Sequence, residues 1–275
     1  MIVSGLPRGL HNPKSAVRAR VFYLFHRFIK DNQREISLEL AGTLLEGIGD
    51  LLTIRVELPE VDPNEPNDPL TEATSTPEPQ LYLFETVGTL VHIFFRTPEQ
   101  SAALLLTVVT PLLEELSANL RAFEEKQDVL PIVKIHHVIM ALGNIAKGFP
   151  DYPTPVPDDF ILPPLHVFRN MAQAILMSLG AMKEFKVVRD AVRRYFTDFR
   201  LVAESMACRL DFPLRASSLL QVLRSLTLSR PSWSTCSRIS REANWWTSST
   251  SSTSLSTSSR FVSSGTLFLA SHILA

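Results

Sequence analysis

Two clusters of cations stand at helical spacing in this 275-residue chain, and each is suited to holding phosphate oxygens. Arg20, Tyr23, Arg27 and Lys30 follow one another at spacings of 3, 4 and 3, so on a helix they share one face. Arginine binds phosphate through paired hydrogen bonds, and an interleaved tyrosine offers a ring to an unpaired base. The plain alternative is the solvated side that any amphipathic helix needs. Lys183, Lys186, Arg189, Arg193 and Arg194 form a denser second cluster, at spacings of 3, 3, 4 and 1. Asp190 and Asp198 stand four residues either side of Arg194 and are placed to neutralise part of it. RNA contact and ordinary surface are both open readings there.

The remaining motifs point away from catalysis. His136 and His137 are adjacent, and neighbouring helical residues project about 100° apart, so they do not share the ligand geometry of an i,i+4 pair. A packed histidine pair is the expectation, and no metal site is assigned. The run GNIAKG at Gly143–Gly148 lacks the phosphate-loop pattern and falls inside a helical segment, where Gly143 is expected to admit a close neighbouring helix. There is no GxSxG, no Cys-His arrangement and no pocketed carboxylate pair. No catalytic residue and no cofactor are assigned. Cys208 and Cys236 are the two cysteines and form no CxxC, which excludes a disulfide framework and a cysteine-zinc site.

Charge divides the chain. Over the whole length 27 basic groups nearly cancel 28 acidic ones, so a generally basic nucleic-acid binder is excluded while a local basic patch is not. Residues 56–80 carry seven acids and no base, and 56–79 are rich in proline with little to bury, which predicts a surface loop. That loop is read as an unselected insertion or an electrostatic docking element, and its Thr76-Pro77 is a candidate phosphorylation site. Residues 213–275 carry six arginines, no lysine and one acid, and 21 of the last 45 residues are Ser or Thr. Two readings are open for this low-complexity stretch: a disordered Ser-rich tail, or a shifted frame or intron translated into protein. The second is preferred, because Trp233, Trp245 and Trp246 stand in no helical phase. The N-terminus does not read as a signal peptide, and the longest apolar stretch, Ala102 to Leu113, is too short to cross a bilayer. A soluble intracellular protein without membrane insertion is expected.

The elements that must carry the clusters are helices. Val17, Val21, Leu24, Phe25, Phe28 and Ile29 predict an amphipathic helix over Ser15–Asn32 with these residues as its buried stripe. Leu40 to Leu52 repeats the pattern, and Leu81–Arg96 gives a third helix. Thr97-Pro98-Glu99-Gln100 opens a fourth with capping-box spacing, running to about Lys126, and Pro111 is expected to bend it. Asp128 is expected to cap a fifth, Val129–Lys147, ended by Gly148 and Pro150. Leu162–Met182 and Glu184–Ala207 read as sixth and seventh. No segment alternates with period 2, so the class is all-α. The pairs begin near residues 15, 80, 129 and 184, which predicts a HEAT-like solenoid of antiparallel helix pairs over residues 1–212.

LPRGLHNPKSAVRARVFYLFHRFIK, QLYLFETVGTL, VVTPLLEELSANL, IHHVIMALGNIAKGFPDYPTPVP and FKVVRDAVRRYF, in that order, resemble the central region of the exportin-T family. This is the tRNA exportin branch of the importin-β (karyopherin) superfamily, and the likeness is nearest to its fungal members. The resemblance implies a HEAT-repeat superhelix that binds tRNA cooperatively with Ran-GTP, meets nuclear pore proteins, and shuttles between nucleus and cytoplasm. It also implies that the repeats which hold Ran lie before Met1, so this stretch is expected to be a central fragment. The alternative from a different class is a HEAT-repeat scaffold that binds proteins and no RNA. On either reading the chain is not an enzyme.

Overall fold

A computed structural model describes residues 9–56, 79–150 and 163–198, with positions 58, 70, 74 and 161. Most of the acidic insertion, both cysteines, Thr76 and the whole of 213–275 therefore lie outside the described residues. Among the described residues the regular elements are helices: α1 (Ser15–Asn32), α2 (Leu38–Ile48), α3 (Leu81–Ile93), α4 (Pro98–Lys126), α5 (Val129–Lys147), α6 (Leu165–Ala181) and α7 (Lys186–Asp198). Short 3-10 turns, Gly49–Leu52 and Phe94–Arg96, follow α2 and α3. The sequence extends α3 through Arg96, whereas the last three residues tighten into that turn.

Local chemistry accounts for the boundaries. Ser37 caps α2 by accepting from the Leu40 N–H at 3.2 Å, and Asp128 accepts from Val129 N–H at 3.1 Å at the start of α5. Pro98 occupies the first turn of α4, where its missing N–H costs nothing. The expected capping box at Thr97 does not form. Its hydroxyl donates to the Phe94 carbonyl at 3.1 Å and faces the Gln100 side chain, satisfying the preceding 3-10 turn instead. α4 continues through Pro111, which gives up the hydrogen bond its N–H would have made one turn back. It ends at Gln127, a non-glycine residue in the left-handed region (φ 51°) whose N–H reaches the Phe123 carbonyl at 2.7 Å.

The helices stack in two rows. α1, α3, α5 and α7 pack in succession along one row; α2, α4 and α6 back them, and α4 and α6 touch each other. Each even helix also packs on an odd neighbour, giving a two-layered stack of helices in which each contacts its near neighbours, as in a helical-repeat solenoid. The odd helices begin at Ser15, Leu81, Val129 and Lys186, close to the predicted spacing, but α2 packs on α3 rather than on α1 and α4 packs more closely on α5 than on α3. α1 and α3 run in the same direction. Tyr23 meets Tyr82 and Lys30 meets Glu85, so both helices advance together. On the next joint Glu85, Gly88 and His92 of α3 all meet the C-terminal end of α5, from Ile145 to Phe149.

α3 is the centre of this packing, and its residues Leu83 to Val91 are all buried. On the α5 side the approach is backbone to backbone. A Cβ at Gly88 would lie 2.1 Å from the Ile145 carbonyl oxygen, and one at Gly148 would lie 2.3 Å from that of Glu85. Thr89 donates its hydroxyl to the Gly148 carbonyl at 3.2 Å across the same contact. Gly143, the glycine singled out by sequence, meets Tyr195 at an ordinary 3.6 Å, so the steric demand falls on Gly88 and Gly148.

The buried face of α1 is Phe22, Phe25, His26 and Ile29. Val17, Leu24 and Phe28, expected in the stripe, are 39%, 49% and 44% exposed. α1 carries two apolar ridges, and α3 packs on the one containing Phe22 and His26. α4 and α5 are both long and apolar enough to cross a membrane by length and composition alone. For α5 the apolar character is explained by its place in the core, where thirteen of its residues are buried. α4 is buried along Leu105, Val109, Leu112 and Leu116 and exposes the opposite side.

Candidate nucleic-acid interface

The first cation cluster lies along α1, as the spacing requires, but its members differ in freedom. Arg20 is exposed, with its guanidinium 5.4 Å from the centre of the Tyr23 ring. Tyr23 is half-buried and packs edge-on against Tyr82 of α3, with centroids 5.4 Å apart. Arg27 is exposed, donates to the Tyr23 hydroxyl at 3.4 Å and stands 3.6 Å from Asp31. Lys30 is held: its Nζ donates to Glu85 Oε1 at 3.0 Å, although over half the side chain is exposed.

Glu85 is itself only 3% exposed and anchors a cluster that joins three helices. Its second oxygen accepts from Lys147 Nζ at 2.9 Å, and His26 Nε2 lies 3.6 Å away. Burial pushes the Glu85 carboxyl upward, but hydrogen bonds from Lys147 and Lys30 outweigh it and hold the group below the usual carboxylate range. Burial lowers His26, which leaves its imidazole neutral near pH 7 despite the neighbouring carboxylate.

The second cluster lies on and just before α7, at the other end of the odd row, with α3 and α5 between it and the first. Lys186 and Arg194 are exposed, whereas Lys183, Arg189 and Arg193 are half-buried. Arg189 donates to the carbonyls of Lys183 and Glu184 at 2.6 and 3.0 Å, tying down the turn that precedes the helix. Arg193 pairs with Asp190 at 2.9 Å, so the neutralising contact expected at Arg194 is made one residue earlier. Asp198's side chain lies outside the described atoms.

His136 and His137 sit in α5 with rings 5.2 Å apart at an interplanar angle of 65°. Burial pushes each down to about 4, so both are neutral at pH 7; His137 is buried in the core and His136 is half-buried beside it. No group of three or more His, Cys, Asp or Glu able to hold a metal exists among the described residues.

The model of the Exportin-T family matches residues 1–210. Exportin-T of Laccaria bicolor is 53% identical over 192 residues, which is 69% of this chain and 18% of that protein. The Coprinopsis cinerea protein of the same name is 47% identical over 193 residues, 69% of this chain and 18% of its own. Exportin-T of Aspergillus fumigatus is 35% identical over 195 residues, 68% and 19% respectively.

This chain belongs to the exportin-T family.

It spans about a fifth of the length of these curated relatives. Within this exportin-T stretch, Lys147 and Glu85 escaped the sequence reading. The signal was present in Glu85, the single acid in the otherwise apolar α3, whose burial requires cationic partners. Which cations those are depends on contacts across 55 and 62 residues. The even row adds an open groove of about 310 Å³ between α4 and α6, lined by Leu106, Val109, Leu113 and Val167 with Glu114 and Arg121 at its rim.

Proposed function

We propose that this chain is part of a tRNA nuclear-export receptor, whose solenoid holds the phosphate backbone of tRNA through the cations of α1 and α7. Membership of the exportin-T family over residues 1–210 carries this reading, and the exposed Arg20, Arg27, Lys186 and Arg194 supply the charge. The chemistry is non-covalent. Arginine forks and lysine ammoniums position phosphates, and counterion release drives affinity. Ran-GTP and tRNA favour the same tightened superhelix, so each raises the other's affinity by the same factor. The receptor shuttles between nucleus and cytoplasm and meets pore proteins on the way. Repeats outside this stretch hold Ran.

The test is a mobility shift with a transcribed tRNA and the full chain, repeated with Lys186→Ala and Arg194→Ala together. These two are chosen because Arg189 and Arg193 also hold local structure. Binding should weaken with salt, and the double change should lower the slope of log affinity against log salt by about 1.4 to 1.8. An unchanged slope would remove α7 from the interface. The protein-scaffold reading rests on the α4–α6 groove, and failure to bind tRNA at low salt would put it first.

A further inference from the structure

We propose that Lys147, together with Lys30, forms a preset phosphodiester-binding site built around the buried carboxylate of Glu85, carrying the α1 cation stripe across the odd row to α5. This rests on the tRNA-binding reading given above. The two ammonium groups donate to opposite oxygens of one carboxylate, at 3.0 and 2.9 Å, so they are held within about 8 Å of each other. Each lysine has three N–H donors and uses one on Glu85. With side chains 56% and 50% exposed, both keep donors facing solvent, whereas the carboxylate side chain is 4% exposed and closed to a ligand.

Charge decides what such a site takes. His26, the remaining titratable neighbour of the carboxylate, is neutral, so two ammoniums face one carboxylate and a single positive charge is left over. Neighbouring α1 adds Arg20 and Arg27 against Asp31 alone. The ligand is therefore anionic. A free lysine loses much rotameric freedom on gripping a phosphate, and here Glu85 has removed that freedom beforehand. Tyr82 lies one turn before Glu85 on α3, packs on Tyr23 and leaves 37% of its surface exposed, so it offers a ring edge to a ribose or an unpaired base further along the stripe. A simple interhelix clamp would also be satisfied by a single lysine. The second one converts a neutral pair into a net cation at the surface.

Removing either lysine leaves a one-to-one neutral pair, so one change should silence the site. The experiment measures binding of a transcribed tRNA to the full chain across a salt series, for the natural chain, Lys147→Gln and Lys147→Arg, with thermal melts of all three. At about 0.1 M salt Lys147→Gln should bind roughly fivefold more weakly, and its salt slope should be smaller by about 0.7 to 0.9. Lys147→Arg should keep both. If the natural chain binds tRNA and Lys147→Gln matches it, the site is overturned while the tRNA reading stands. If the natural chain does not bind, both fall. Should Lys147→Gln fail to fold, amine acylation of the natural chain decides the matter. Protection of Lys30 and Lys147 by tRNA supports the site, and equal labelling with and without tRNA overturns it.

Discussion

Replacing Gly88 by alanine should reverse the usual sign of that substitution in a helix. In an open helical position Gly→Ala stabilises by up to about 1 kcal/mol, because glycine spends more backbone entropy on folding. At Gly88 the added Cβ would stand 2.1 Å from the Ile145 carbonyl oxygen and 3.0 Å from the Gly148 Cα, both of them backbone. A carbon and a carbonyl oxygen rest about 3.3 Å apart, so α3 and α5 must separate by about 1 Å. A gap of that size forfeits a quarter to a half of the dispersion attraction across the interface. It would also stretch the Thr89 bond to Gly148 and the Lys147 bond to Glu85. Overpacking and lost contacts together cost about 3 to 5 kcal/mol, which the propensity gain does not offset. Gly42 in α2 is the internal control, since a Cβ there meets nothing within 4 Å. Urea denaturation followed by circular dichroism should show Gly88→Ala less stable and Gly42→Ala more stable than the natural chain. Equal, stabilising effects at both positions would refute the backbone contact.

Gln127→Gly should stabilise by about 1 kcal/mol, because the left-handed φ of 51° costs a residue with a side chain and suits glycine; a lowered denaturation midpoint would count against this. Unfolded, His136 and His137 titrate near 6.5, and folded both lie at about 4, so between these values the unfolded chain binds more protons. Their contribution is whole above pH 6.5 and is lost as pH falls towards 4, by about 2 kcal/mol for each imidazole between pH 7 and pH 5. Denaturation at the two pH values should show the loss, and His137→Phe should shrink it; a pH-independent stability would contradict the burial of the pair. Glu85→Gln should destabilise by about 1 to 3 kcal/mol in thermal melts, since it leaves Lys30 and Lys147 close together without their counter-charge, both partly relieved by water. An unchanged melt would mean the ion pairs contribute nothing.

Where local chemistry sets an element, the sequence was a sufficient guide. Asp128 and Pro98 placed the starts of α5 and α4, and Ser15–Asn32 matched α1 at both ends. Choices made by distant partners were not legible. α1 has two apolar ridges, and nothing within the helix says that Phe22 and His26 rather than Val17, Leu24 and Phe28 face the core. α3 makes that choice from more than fifty residues away. Thr97 shows the same limit on a smaller scale: the residue type and spacing suit a capping box, yet the adjoining 3-10 turn claims its hydroxyl. In the candidate interface, spacing put the cations on α1 and α7 but did not separate Lys30, Arg189 and Arg193, which hold structure, from the freer Lys186 and Arg194.

The Gly88–Gly148 contact also sets how the stack bends. Two backbones that touch have no side chains to shift between rotamers, so the joint of α3 with α5 is stiff in shear and in rotation. The joints on either side are less close: side chains meet at one, the Tyr23 and Tyr82 rings with Lys30 on Glu85, and at the other Tyr195 lies against Gly143 at an ordinary 3.6 Å. Bending of the stack is therefore expected to fall on these outer joints before the middle one, where backbone meets backbone. The cations of α1 and α7 lie on either side of that close joint. A polyanion drawing them together would do its work against the outer joints before the middle one.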